Sequence, residues 1–227
     1  MIKNIVFDLD GTLLDTKHVD NLVVRIMFEN YGIPKEVTRQ FYHLLELNLS
    51  HEGFSSTFQR RRLWGIALDK NRAKADYCHQ SWEMARRTAI EKYFSLNWLL
   101  DDLANQRFNI IIATSGDTYT QAMKLGYMNV NYPFFVFDKQ NGFSKTSAIS
   151  WDTFFRLFKL DKKTLVVGNV FEQDIEMPYI LGRKVALANW YEEPVVVDNR
   201  FQHLLSNGEI KSFYDCGKFF DYCLTLK

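Results

Sequence analysis

The sequence predicts an α/β fold: a parallel β-sheet covered by helices on both faces, interrupted after its first strand by an all-helical domain. Three observations predict it. Residues 2–8 form a short apolar run of the kind a buried strand requires. Residues from about 16 to 90 then carry helical spacing alone. From about residue 96 onward, β-branched runs alternate with helical segments. That alternation implies right-handed crossovers and a sheet buried on both sides. The chain thus divides into an α/β core of residues 1–16 and 91–227 and a helical insertion of residues 17–90.

Each element has its own signal. Val19, Leu22, Val23, Ile26 and Met27 repeat at helical spacing until Gly32 and Pro34 stop them. Val37, Phe41, Leu44 and Leu45 mark a second helix, and Gly53 with paired serines marks a loop from His51 to Ser56. Helical sequence resumes through the basic run Arg60-Arg61-Arg62 to about Phe94. Leu96, Leu99, Leu100 and Leu103 then make a helix, and Phe108 to Ala113 a strand. Thr118 to Leu125 reads as a helix closed by Gly126, Phe134 to Phe137 as a strand, and Trp151, Phe154, Phe155 and Phe158 as a helix. A strand at Leu165 to Val167, a helix from Ile175 closed by Gly182, and a strand at Lys184 to Ala188 complete the pattern. Beyond Pro194 only two helices are indicated, around Phe201 to Leu205 and from Phe213 to Leu224.

The chain has 227 residues, 47% of them hydrophobic, which supplies a sizeable core. A net charge of +1 gives no pull toward nucleic acid or anionic membrane, so neither is expected as a partner. Cys78, Cys216 and Cys223 are sparse, odd in number and without metal-ligand spacing, as expected of reduced thiols in a cytoplasmic protein. Lys3, Asn4 and Asp8 interrupt the first apolar run, so no signal peptide is expected there. No run approaches the roughly 18 apolar residues of a membrane span.

The chemistry concentrates at strand ends. The first strand closes in Asp8-Leu9-Asp10-Gly11-Thr12. At a side-chain period of two, both carboxylates are expected on one side of the backbone, where like charges call for a cation between them or a proton on one. A turn would account for Gly11 but not for Asp8, which ends an apolar run. The second strand ends in Thr114-Ser115-Gly116, suited to gripping an anion or to capping the next helix. Gly168, Asn169 and Asp174 follow a later strand, and Lys145 precedes the aromatic helix. In parallel α/β sheets, ligands sit beyond the carboxyl ends of the strands, so these residues share one rim.

Taken together, the set resembles the haloacid dehalogenase-like (HAD) superfamily of phosphotransferases over nearly the whole chain. Asp8-Leu9-Asp10-Gly11-Thr12 matches the first motif, and Ile110 to Gly116 the second, an apolar strand ending in Thr or Ser. Lys145 fits the third, with Lys139 a rival at a longer distance from the next motif. Gly168 to Asp174 is similar to the fourth, except that Asn169 stands where the first acid is usual. The insertion resembles the C1-type cap, and the core is accordingly expected to be Rossmann-like. The resemblance implies Asp8 as nucleophile and Asp10 as general acid/base. It implies phosphate binding by Thr114, Ser115 and Lys145. It also implies Mg²⁺ held by Asp8, the backbone carbonyl of Asp10, and Asn169 with Asp174. Asn169 brings an amide oxygen but no charge, so a raised Mg²⁺ requirement is expected.

The expected function is therefore a Mg²⁺-dependent phosphatase for a small phosphorylated metabolite, working through an aspartyl-phosphate. A catalytically weakened relative that binds a phosphorylated ligand or partner is one alternative, and a 2-haloacid dehalogenase another. Asp10 argues against the dehalogenase, since carbon–halogen displacement leaves no alkoxide to protonate. In the insertion, Arg60-Arg61-Arg62 reads as a solvated face, and Trp64, Trp82, Tyr77 and Phe54 as core aromatics. Asp15 reads as part of the turn after the first strand.

Overall fold

A computed structural model of the chain describes residues 1–52, 57–68, 72–94, 96–191 and 201–226. The expected loop from His51 to Ser56, with Phe54 in it, lies outside the described residues from Gly53 on. Six parallel strands form one sheet: β1 (Asn4–Phe7), β2 (Asn109–Ser115), β3 (Phe134–Phe137), β4 (Thr164–Gly168), β5 (Lys184–Ala188) and β6 (Lys211–Phe213). Their order is β3-β2-β1-β4-β5-β6, so β1 is central and the chain winds outward from it in both directions. Phe7 pairs with Ile112 on one side and Val167 on the other, which brings the ends of β2 and β4 beside the end of β1.

Strand alternation divides the core in two. Ile5, Phe7, Ile110, Ile112, Leu165, Val167 and Ala186 face one side. There they pack under α5 (Asn97–Asn105) and α10 (Cys216–Thr225), in a cluster that continues into α1 (Thr16–Tyr31). Val6, Ile111, Ala113, Val166, Val185 and Leu187 face the other. There Trp151, Phe154 and Phe155 of α7 (Ala148–Leu157) cover them. Each large apolar side chain fully buried this way contributes about 1.5–3 kcal/mol. The fold is thus an α/β Rossmann-like sheet covered on both faces.

Between β1 and α5 lies the all-helical insertion: α1, α2 (Lys35–Glu52), α3 (Thr57–Ala67) and α4 (Arg72–Tyr93). Its interior is aromatic. Phe41 stacks on Trp64 at 4.1 Å and meets Trp82 edge-on at 5.1 Å. Tyr77, by contrast, is 53% exposed and is not part of that core. His18 of α1 stacks on Tyr93 at the end of α4, so the chain enters and leaves the insertion side by side.

Two further expectations are corrected. Gly126 does not end its helix: α6 runs Thr118–Tyr127, and the reversal falls at Asn129, in the left-handed region. The helix expected before Gly182 is present as α8 (Glu176–Ile180), entered through a π-turn, Phe171–Ile175, and closed by Gly182 at positive φ. The tail holds α9 (Gln202–Ser206) as expected, but Lys211 to Phe213 is the edge strand β6, too short to show a period. The three cysteines are all free thiols. Among the described residues, no helix is long and apolar enough to cross a membrane.

His79 of α4 is buried, and its Nδ1 has no hydrogen-bond partner. Burial, with Arg60 and Arg61 nearby, pushes its pKa down to about 4. The unfolded chain therefore takes up this proton near pH 6.5 and the folded one only near 4, so the contribution is complete above 6.5 and is lost as pH falls between the two. Urea unfolding of His79→Gln should show a flatter stability profile than wild type across that window.

Candidate active site

Asp8 follows directly on β1, its backbone N–H bonded to the Val167 carbonyl of β4. Its carboxylate is buried and accepts from the Lys145 ammonium. The same Nζ reaches Asp174 at 2.6 Å, so one cation joins two buried carboxylates. Lys145 is itself aimed from behind, since its carbonyl accepts from the Trp151 indole N–H at 2.7 Å. Asp174 is fixed at its other oxygen by the Val170 N–H. Gly168 makes room for it: a Cβ there would stand 2.2 Å from that of Asp174. Burial first, then the Asp174 charge, raises the Asp8 pKa to about 7, only partly offset by Lys145. The rival lysine, Lys139, is exposed in a 3₁₀ turn.

Each aspartate of the pair has its own lysine, and the proton expected on one of the two falls to Asp8, whose pKa the Asp10 charge helps to raise. β1 ends at Phe7, and the chain then tightens into a turn in which the Gly11 N–H bonds the Leu14 carbonyl at 2.8 Å. The strand period no longer governs Asp10. Its carboxylate turns toward the helical insertion, where Lys124 of α6 contacts both oxygens at 2.6 Å. Thr16 and Gln121 complete its shell at 3.1 and 3.2 Å. Burial alone would raise the Asp10 pKa, but the Lys124 charge and hydrogen bonds outweigh it and hold it below the usual carboxylate range. Asp15 caps α1, accepting from the His18 N–H.

The Asp10 turn is pinned by its surroundings. Gly11 has φ +79°, and a Cβ there would strike Asn169 at 2.3 Å. Asn169 accepts from Thr12 at 3.2 Å. Trp190 and Tyr191, just past β5, donate to the Thr12 and Leu13 carbonyls at 2.7 and 3.0 Å. Thr114 is buried, and its hydroxyl has no hydrogen-bond partner, which leaves a donor for a ligand oxygen. The Ser115 carbonyl accepts from Gln121 at 2.8 Å.

Above this rim, under the insertion, lies a cavity of about 870 Å³ with Asp10, Ser115 and Gly116 in its lining. Arg60 also lines it, and here the solvated-face expectation fails: only Arg61 and Arg62 are exposed. Arg60 is buried, reaching Thr120 at 3.1 Å, Asp117 at 3.6 Å and Glu83 at 3.8 Å. Lys124, Gln121, Asp20 and Trp190 escaped the sequence reading because none lies in a motif. Their roles arise from a helix face and from loops that only the fold brings to Asp10.

A family model described as "Haloacid dehalogenase-like hydrolase" matches residues 5–168. The chain belongs to that family. No curated protein matches the sequence. Among solved structures, it is similar to the HAD-hydrolase YfnB of Bacillus subtilis, bound to magnesium, at 17% identity and TM-score 0.67, covering 97% of this chain and 98% of that one. It is similar to a 2-haloacid dehalogenase of Pseudomonas syringae at 18% identity and TM-score 0.61, with 100% of both chains covered. It is similar to a HAD phosphatase of Thermococcus onnurineus at 16% identity and TM-score 0.61, with 98% of each chain covered. At such identities the likeness speaks for the fold.

Lys145→Met should leave two carboxylates buried without their counter-ion, at a cost of about 3–5 kcal/mol at neutral pH. Because protonation removes the unpaired charge, the deficit should shrink as pH falls. Denaturant titrations at several pH values measure both effects.

Proposed function

We propose that this HAD-like hydrolase is a Mg²⁺-dependent phosphatase acting on a small phosphorylated metabolite, with Asp8 as nucleophile. The observation that carries the reading is the buried Asp8 carboxylate at the end of the central strand, held by Lys145 in common with Asp174, with Asp10 beside it on the cavity.

An Asp8 oxygen attacks phosphorus while the bond to the leaving oxygen breaks, giving an aspartyl-phosphate. The leaving oxygen takes a proton that Asp10 relays from Lys124, the ammonium on both of its oxygens, whose own pKa burial lowers. Asp10 then removes a proton from water as that water attacks phosphorus and frees Asp8. Thr114, with its uncommitted hydroxyl, and the backbone at Ser115 hold phosphoryl oxygens, and Lys145 balances their charge. The helical insertion, standing between β1 and β2, acts as a C1-type cap over the substrate.

The residues fit Mg²⁺. Asp8 and Asp174 converge closely enough to share one cation, the Lys145 ammonium. Among the described residues, no three side chains of His, Cys, Asp or Glu converge, so a backbone carbonyl or amide must add to the donor set. Asp8, Asp174, the Asp10 carbonyl and Asn169 would hold the ion, which supplies charge neutralisation between carboxylate and phosphate.

Lys145 also compensates Asp8 without a metal, which favours the dehalogenase as second reading. A panel of phosphorylated metabolites and 2-haloacids, run with Mg²⁺ and with chelator, separates the two. Metal-dependent phosphate release supports the first, metal-free halide release the second, and ligand binding without turnover a weakened relative. Asp8→Asn should lower phosphate release on the order of 10³-fold or more while circular dichroism stays unchanged. Asn169→Asp should tighten Mg²⁺ binding measured by calorimetry. An unaltered affinity would mean that Asn169 does not stand beside the ion.

A further inference from the structure

The cavity beneath the insertion is much larger than a phosphoryl group, and its volume matches sites that enclose a whole small-molecule ligand. Its cations differ in their commitments. Lys124 is taken by Asp10, and Arg60 by Asp117 and Glu83. Arg86 of α4 lines the same cavity, is half-buried, and has no carboxylate within ion-pair distance among the described residues. Its guanidinium lies over Trp82 at 5.3 Å from the ring centroid.

That platform is rigid. Trp82 is buried against Phe41, and its indole N–H donates to Tyr42 at 3.2 Å. Asp20, on the same wall, is hydrogen-bonded with Tyr42; burial pushes its pKa up to about 6, against the pull of the Arg86 charge. A guanidinium lying over an indole presents a planar fork of donors, which suits an oxyanion with two oxygens side by side. Because Asp10 and Arg86 line one cavity, a ligand can occupy both ends at once.

We infer that Arg86 is a specificity subsite for a second anionic group, so that the substrate is a phosphomonoester that also carries a carboxylate or a further phosphate. The inference rests on the phosphatase reading for the chemistry, but the subsite itself can be tested without turnover.

Two measurements separate them. In the first, kcat/KM is measured with Mg²⁺ for 3-phosphoglycerate, fructose 1,6-bisphosphate and p-nitrophenyl phosphate, on wild type and Arg86→Gln. The ratio of doubly anionic to singly anionic substrate should fall about 10- to 100-fold in the variant, mostly through KM. Whichever of the first two substrates wild type prefers identifies the group as carboxylate or phosphate. In the second, the same two compounds are titrated calorimetrically into Asp8→Asn, with and without Arg86→Gln. Binding that weakens about 10-fold or more without the guanidinium supports the subsite even where no substrate turns over, a result that would remove the phosphatase reading instead. Arg86→Lys, which keeps the charge and loses the fork, serves where Arg86→Gln does not fold; it should weaken carboxylate binding more than phosphate binding. A selectivity ratio and an affinity that neither variant changes would overturn the inference.

Discussion

One ammonium group at the end of the central strand organises the site. Lys145 is almost fully buried between Asp8 and Asp174, and its charge is what allows two carboxylates to remain inside the protein at all. The neighbouring design follows from it. β4 must lie beside β1 to deliver Asp174, Gly168 must lack a side chain to admit it, and Trp151 must fix the lysine's own backbone. Burial first, and then the Asp174 charge, raises the Asp8 pKa against the pull of that one cation.

A second carboxylate two residues away lives under opposite conditions. Asp10 belongs to the loop, meets a helix that the sheet does not dictate, and is kept ionised by a lysine of its own. The two neighbouring acids are thus pushed in opposite directions. The separation has a simple geometric source: the strand stops at Phe7, so the turn, with Gly11 at positive φ, is free to aim the later carboxylate elsewhere.

Much of this was legible in the sequence, and the rest was hidden for physical reasons. The fold class followed from period alone, because Ile110 to Ile112 and Leu165 to Val167 sit in strands buried on both faces and so form unbroken apolar runs. Residues that act through backbone-adjacent position, such as Asp8 and Asp174, showed themselves by spacing. Lys124 and Arg60 did not, since a lysine or arginine on a helix reads as solvated until the opposing surface is known. At Asp10 the partner, Lys124, lay beyond any spacing argument, because β1 ends at Phe7 and a turn carries that carboxylate. β6 offered three residues, too few for any period.

The guanidinium of Arg60 ties the helical layer to the sheet, grasping Asp117 and Thr120 beneath it. Any parting of the two layers must rupture those ties and rehydrate a cation that is now dry. Were the layers to part, that cation would be uncovered to water, and its attraction to Asp117 and Glu83 would be open to screening by dissolved salt.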